Sequence, residues 1–146
     1  MSYKIKLLRD DAKMPTRGSD FAVGYDLYAA IPDSGTVVIP AHSKQPIPLG
    51  ISSELPDGVG AFIFARSGIA CKSGIRPANC VGVIDPDYRG EWVACLFNDS
   101  DMDFTVKTGD RVAQVVFKKV ELPELELADV LEDSVRGNGG FGSTGK

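Results

Sequence analysis

Tyr3-Lys4-Ile5-Lys6-Leu7-Leu8 alternates lysine with aliphatic residues close to the start of the chain, the pattern of an outer strand with one solvated face. Outward from it, short β-rich runs recur at residues 36–39, 46–51, 59–65, 91–97 and 111–120. Pro32-Asp33-Ser34-Gly35, Pro56-Asp57-Gly58 and Lys107-Thr108-Gly109-Asp110 separate them as turns. Residues 67–72 are the best place for a helical turn. Many short strands punctuated by glycine and proline predict an all-β barrel or sandwich with at most one short helix.

The 146 residues are enough for one domain, burying roughly 68–70% of the surface exposed by the unfolded chain. With 43% hydrophobic and 25% charged residues, the composition is that of an ordinary soluble globular protein. No apolar run approaches the ~20 residues of a bilayer span, and the N-terminal residues lack the apolar core of a secretory signal. No membrane partner is therefore expected. The net charge is −4, yet residues 121–133 hold six acids and no base, leaving 14 acids against 16 bases elsewhere. No basic stripe of a nucleic-acid binder is present. Cys71, Cys80 and Cys95 are odd in number and never spaced as CxxC, which argues against a disulfide framework or structural zinc and fits reduced thiols in a cytoplasmic protein. His42 is the one histidine, so a site needing two is excluded.

Five segments are too polar or too rich in glycine to be explained by strand packing. Ala22-Val23-Gly24-Tyr25-Asp26-Leu27 reads as a strand carrying one carboxylate, either functional or merely solvated. In Ala65-Arg66-Ser67-Gly68-Ile69-Ala70, a cation, a hydroxyl and free N–H groups converge at a helical start, which suits a phosphate; Ser67 as a plain N-cap is the alternative. Asn79-Cys80-Val81-Gly82-Val83-Ile84-Asp85-Pro86-Asp87-Tyr88-Arg89-Gly90-Glu91 reads as a long hairpin whose Pro and Gly explain the turn, but not Asn79 in the approach or an Asp beside a Tyr at the tip. Gly109-Asp110-Arg111-Val112-Ala113-Gln114 opens a strand, or is simply a turn followed by a salt bridge. Arg136-Gly137-Asn138-Gly139-Gly140-Phe141-Gly142-Ser143-Thr144-Gly145 is a mobile Gly/Ser tail, or a flap able to close on a nucleotide. Gly140 to Lys146 also satisfies GxxxxGK, but no Ser/Thr and no helix follow, so it is not read as a P-loop.

In order and spacing, these five segments resemble the five motifs of the trimeric dUTPase family over nearly the whole chain. Ala65 stands where many members have Pro, and Val23 where Ala is common; neither departure removes a functional group. The resemblance implies a jelly-roll-like β-barrel over residues 1–135 and a glycine-rich flap over 136–146. It implies a homotrimer with active sites shared between chains, and Mg²⁺-dependent hydrolysis of dUTP to dUMP and pyrophosphate. That reaction limits uracil incorporation into DNA and supplies dUMP for dTMP synthesis. Asp85 then matches the carboxylate that activates water, and Asp26 the acid that holds Mg²⁺ through water. Arg66, Ser67, Gly68 and Gln114 match phosphate contacts. Asn79, with Gly82 and Val83 of the hairpin backbone, matches the reader of the uracil edge, and Tyr88 the ring beneath deoxyribose. Arg136, Phe141, Gly142, Ser143 and Thr144 match the flap. A dCTP deaminase shares the fold and an Asp-Pro turn, but carries a glutamate where Cys95 stands, which counts against deamination. A non-catalytic nucleotide-sensing module would be marked by loss of Asp85, Asp26 or the tail, and none is lost.

Overall fold

The computed structural model describes residues 2–140. Twelve strands are joined by short connections: β1 (Lys4–Leu7), β2 (Thr16–Arg17), β3 (Tyr25–Tyr28), β4 (Thr36–Ile39), β5 (Lys44–Pro48), β6 (Ile51–Glu54), β7 (Val59–Phe64), β8 (Ile75–Pro77), β9 (Gly82–Ile84), β10 (Val93–Asn98), β11 (Phe104–Lys107) and β12 (Arg111–Lys119). One α-helix, α1 (Ser67–Ser73), lies between β7 and β8. It stops at Gly74, whose left-handed φ of 69° lets its N–H turn back to the Ala70 carbonyl.

Every strand pairing is antiparallel. The largest sheet has the order β2-β3-β12-β7-β9, and smaller ones pair β5-β10-β8, β1-β6 and β4-β11. The result is a jelly-roll-like all-β fold, as expected. β12 is its spine, pairing with β3 on one side and β7 on the other, with an irregularity in register between Arg111 and Ala113. The apolar faces enclose one core containing Leu27, Ile39, Ile47, Leu49, Ile51, Ile75, Leu96, Val106, Val112 and Val115 around the fully buried Trp92.

The alternation that predicts strands also says which residues face inward. Along β10, Ala94, Leu96 and Asn98 are buried, while Val93, Cys95 and Phe97 are not. Buried Asn98 meets its polar demand in full. Its Nδ2 donates to the carbonyls of Ile39 (3.0 Å) and Met102 (2.7 Å), and its Oδ1 accepts from the Ser100 N–H and hydroxyl. A buried amide left unpaired would cost about 1–3 kcal/mol for each group; paired, it ties β10 to β4.

Two sequence expectations need correction. The run at 46–51 is not one strand: Gly50, at φ +66°, turns the chain between β5 and β6. The segment from Asn79 to Glu91 is not a hairpin either. β9 pairs with β7, whereas β10 pairs with β5 and β8, so the Asp-Pro-Asp-Tyr segment arches from one sheet to another. Pro and Gly set the turn, but distant strands choose the partners. Regular strand structure ends at Lys119, and beyond it Leu122, Leu125, Leu127, Val130, Leu131 and Val135 are all exposed. No helix among the described residues is long and apolar enough to cross a membrane.

Candidate active site

The predicted residues fall into two clusters, placed by the register of the five-stranded sheet. The first lies where β3, β7 and β12 run side by side. Asp26 stands opposite Gln114, and Gln114 opposite Phe64, so the residues that follow Phe64 are brought over Asp26. Arg66 Nε donates to Asp26 Oδ1 at 2.6 Å, and Arg111 Nη1 to Asp26 Oδ2 at 3.1 Å. Gln114 Nε2 donates to the Ala65 carbonyl at 2.8 Å, fixing the backbone immediately before Arg66. Gly24 makes room for this arrangement, because any Cβ there would overlap Gln114 Oε1. Two guanidinium groups against one carboxylate leave surplus positive charge at this end of the sheet.

Arg66 occupies the N-cap position of α1 and Ser67 the first helical one, with no side-chain capping bond. The plain N-cap alternative for Ser67 therefore does not hold, and its exposed hydroxyl is not committed to the helix. Nothing lies within 4 Å of where a Cβ would sit on Gly68. The segment from Gly109 to Gln114 combines both readings offered for it. Asp110 accepts the Lys107 N–H in a turn (2.8 Å), and Arg111 makes the salt bridge to Asp26. Arg111 was not among the expected site residues; its one sequence signal is its place just after that turn.

The second cluster surrounds the arch. Val83, Ile84, Asp85, Tyr88, Glu91 and Val93 line a cleft of about 360 Å³. Asp85 and Tyr88 are exposed, and the Tyr88 N–H donates to the Asp85 carbonyl at 3.2 Å. The Tyr88 ring lies against Gly90, where any side chain would overlap the phenol, and its hydroxyl donates to the Glu91 carbonyl at 3.1 Å. Glu91 is also a residue that sequence reasoning missed. Hydrogen bonds from Arg9 and then from the Gly50 N–H hold its carboxyl below the ordinary range, against the opposing effect of burial. Among the described residues, Asp85 is the carboxylate of this cleft that no protein group engages.

Register separates the two clusters within one chain. Gly82 faces Ile63 and Ile84 faces Ala61, so β9 carries the chain toward Asp85 while β7 runs the opposite way to Arg66. Six residue steps then separate Asp85 from Arg66, roughly 20 Å at ~3.3 Å each. Asn79 precedes β9 at the Ile63 end, exposed, with its Nδ2 beside Gly82. Arg136 is exposed, and its Nε donates to the Gly139 carbonyl at 2.7 Å within the tail itself. Phe141, Gly142, Ser143 and Thr144 lie outside the described residues.

Comparison with known proteins places the chain in a family. The model of the family described as dUTPase matches residues 10–145. A deoxyuridine 5'-triphosphate nucleotidohydrolase of Desulfitobacterium hafniense is 48% identical over 148 residues, covering 99% of this chain and 97% of the relative. The enzyme of that name from Arabidopsis thaliana is 46% identical over 143 residues, covering 98% of this chain and 82% of the relative. A solved variant of the Staphylococcus bacteriophage 80alpha dUTPase with dUpNHpp superposes with a TM-score of 0.89 at 26% identity, covering 99% of each chain. With the match running through both clusters and along almost every strand that positions them, the chain belongs to the dUTPase family.

Proposed function

We propose that this protein is a dUTP diphosphatase, converting dUTP and water to dUMP and pyrophosphate, and that Asp85 is its general base. The observation that carries the assignment of the base is the contrast between the two carboxylates of the cleft: Glu91 is engaged by Arg9 and Gly50, whereas among the described residues no protein group hydrogen-bonds the Asp85 carboxylate. Asp85 takes that proton from a water that attacks the α-phosphorus. The new oxygen–phosphorus bond forms as the bond from the α-phosphorus to the α,β-bridging oxygen breaks, and pyrophosphate leaves with that oxygen. A positioned base contributes about 10²–10⁴-fold. Arg66, Ser67, Gly68 and Gln114 stabilise the negative charge that moves onto the leaving group. Gln114 also holds Ala65, which fixes where Arg66 begins.

The residues present suit Mg²⁺ held through water. Asp26 is one carboxylate with a side chain 15% exposed, set among phosphate-binding cations. No group of three or more potential metal ligands occurs among the described residues. Mg²⁺ asks for no such cage, since it keeps its waters and leans on one or two carboxylates and the substrate's own phosphates. When bound, the metal supplies positive charge to the triphosphate. Asp26 would hold the hydrated ion through its carboxylate, which also orients Arg66 and Arg111.

Selectivity divides by chemistry. Asn79, with the backbone of Gly82 and Val83, reads the uracil edge, where cytosine would leave groups unpaired at ~1–3 kcal/mol each. A thymine 5-methyl is to be excluded sterically at the same edge, beside the backbone of Gly82 and Val83. Tyr88 packs beneath deoxyribose. The separation of roughly 20 Å between Asp85 and Arg66 supports a homotrimer in which one chain's arch meets another chain's phosphate cluster. Residues 136–146, including Arg136, Phe141, Gly142, Ser143 and Thr144, form the flap that closes over the nucleotide. Cys71, Cys80 and Cys95 are unpaired thiols, which fits work in the cytoplasm.

Incubation of the purified protein and Mg²⁺ with dUTP, dCTP, dTTP and UTP tests the reading. Pyrophosphate released from dUTP alone is the expected result. Ammonia from dCTP, or no reaction with any of the four, would overturn it.

A further inference from the structure

Arg9 and Glu91 take no part in the chemistry above, yet they form a half-shielded, two-pronged ion pair at the edge of the Asp85 cleft. Arg9 Nη2 donates to Glu91 Oε1 at 2.6 Å, and Nη1 donates to Oε2 at 3.3 Å. The same Nη2 donates to the Ala30 carbonyl at 2.6 Å, and Arg9 Nε lies 3.8 Å from Asp11 Oδ1. From the other side the Gly50 N–H donates to Glu91 Oε1 at 2.9 Å. Only glycine serves at position 50: its φ is +66°, and the methyl groups of Ala12 and Ala30 occupy the space a side chain would need. Glu91 is thus gripped by the segment after β1, the turn between β5 and β6 and, through Arg9, the segment after β3.

What this grip holds is the arch. The Glu91 carbonyl accepts the Tyr88 hydroxyl, the Tyr88 ring lies on Gly90, and the Tyr88 N–H donates to the Asp85 carbonyl. Tyr88 is 44% exposed and its side chain has that one hydrogen bond, so the fixing of its tilt rests largely on the backbone of the arch. A soft apolar pocket rejects an added hydroxyl by only about 10². Strong rejection of a ribose 2′-hydroxyl therefore needs a ring that cannot yield. We infer that Arg9 and Glu91 are a positioning pair that stiffens the arch and thereby sets the discrimination between deoxyribose and ribose. This rests on the placement of the sugar against Tyr88 proposed above.

The test compares wild type, Glu91→Gln, Arg9→Met and the double variant. Glu91→Gln keeps the shape and the acceptor for Gly50 but removes the charge. Steady-state kinetics with dUTP and UTP give the ratio of kcat/KM, and hydrogen–deuterium exchange reports on the amides of residues 87–91. The ratio of UTP to dUTP is expected to rise by about tenfold or more in each single variant, within the ~10²-fold that a ~1 Å misplacement can cost. The kcat for dUTP should change far less, and the double variant should resemble the worse single one, because both act through one contact. Arg9→Lys should restore part of the selectivity. An unchanged ratio, or effects of Arg9 and Glu91 that multiply independently, would overturn the inference. Should Arg9→Met fail to fold, Glu91→Gln alone decides. If wild type does not hydrolyse dUTP, the functional reading fails; the clamp itself then stands or falls on whether exchange in the arch accelerates in Glu91→Gln.

Discussion

Asp85 and Glu91 stand six positions apart on one arch and have opposite environments. Glu91 is held ionised by Arg9 and Gly50, while the Asp85 carboxylate faces the cleft without a protein partner among the described residues. Asp85→Asn preserves size and one acceptor oxygen but cannot take a proton at neutral pH. Turnover of dUTP should fall by ~10²-fold or more, with binding of a non-hydrolysable analogue, followed by calorimetry, largely retained. If full turnover survived, Asp87 would replace Asp85 as the candidate base. The residues that carry the family pattern were legible because each sits in a short, unusual local context. The partners that orient them were not. Arg111 reaches Asp26 across 85 positions and Arg9 reaches Glu91 across 82; such pairs are made by the tertiary fold, which no local pattern encodes.

At the scale of elements, alternation in residues 3–8 located β1, and β-rich runs between turn signals located β4, β7, β10 and β12 to within a few residues; β10 keeps one face buried and the other partly exposed, whereas β7 has no exposed residue. β8 and β9 span three residues each, too short for alternation to register. The path of the chain through the arch was misjudged for a related reason. A turn signal says that the chain reverses, but pairing is settled by competition among strands far apart in sequence. Asn98 shows how such distant pairing is secured. Its amide joins the end of β10 to Ile39 of β4 and to Met102. Asn98→Ala should destabilise the fold by about 1–3 kcal/mol for each buried group left unpaired. Urea unfolding should show a lower midpoint with an unchanged slope, and the KM for dUTP in the folded fraction should be unaltered.

At the scale of the whole molecule, the chain presents its chemistry in separate pieces. The tail is proposed to supply one of them. Residues 121–146 span at most roughly 94 Å when extended, long enough to cross to a neighbouring chain. Five glycines in residues 137–146 make ordering entropically costly, so the proposed closure would have to be driven by contacts with the nucleotide. Deleting residues 137–146 should leave the melting temperature nearly unchanged and cut kcat steeply. A truncated protein with full activity would show that the tail is not a flap. The remaining pieces are the Asp85 arch and the Arg66 cluster, at opposite ends of the β7–β9 pair. If they work together, they do so between chains.

Subunit mixing measures this directly. Asp85→Asn and Arg66→Ala, each inactive alone, would be combined in equal amounts, unfolded and refolded together, and assayed for pyrophosphate release from dUTP. When each site draws the two residues from different chains of a randomly mixed symmetric trimer, about a quarter of the sites regain both intact groups, so activity should return to about a quarter of the wild-type level. Persistent inactivity of a mixture shown to contain hybrid trimers would place both residues in one chain's site and contradict the account.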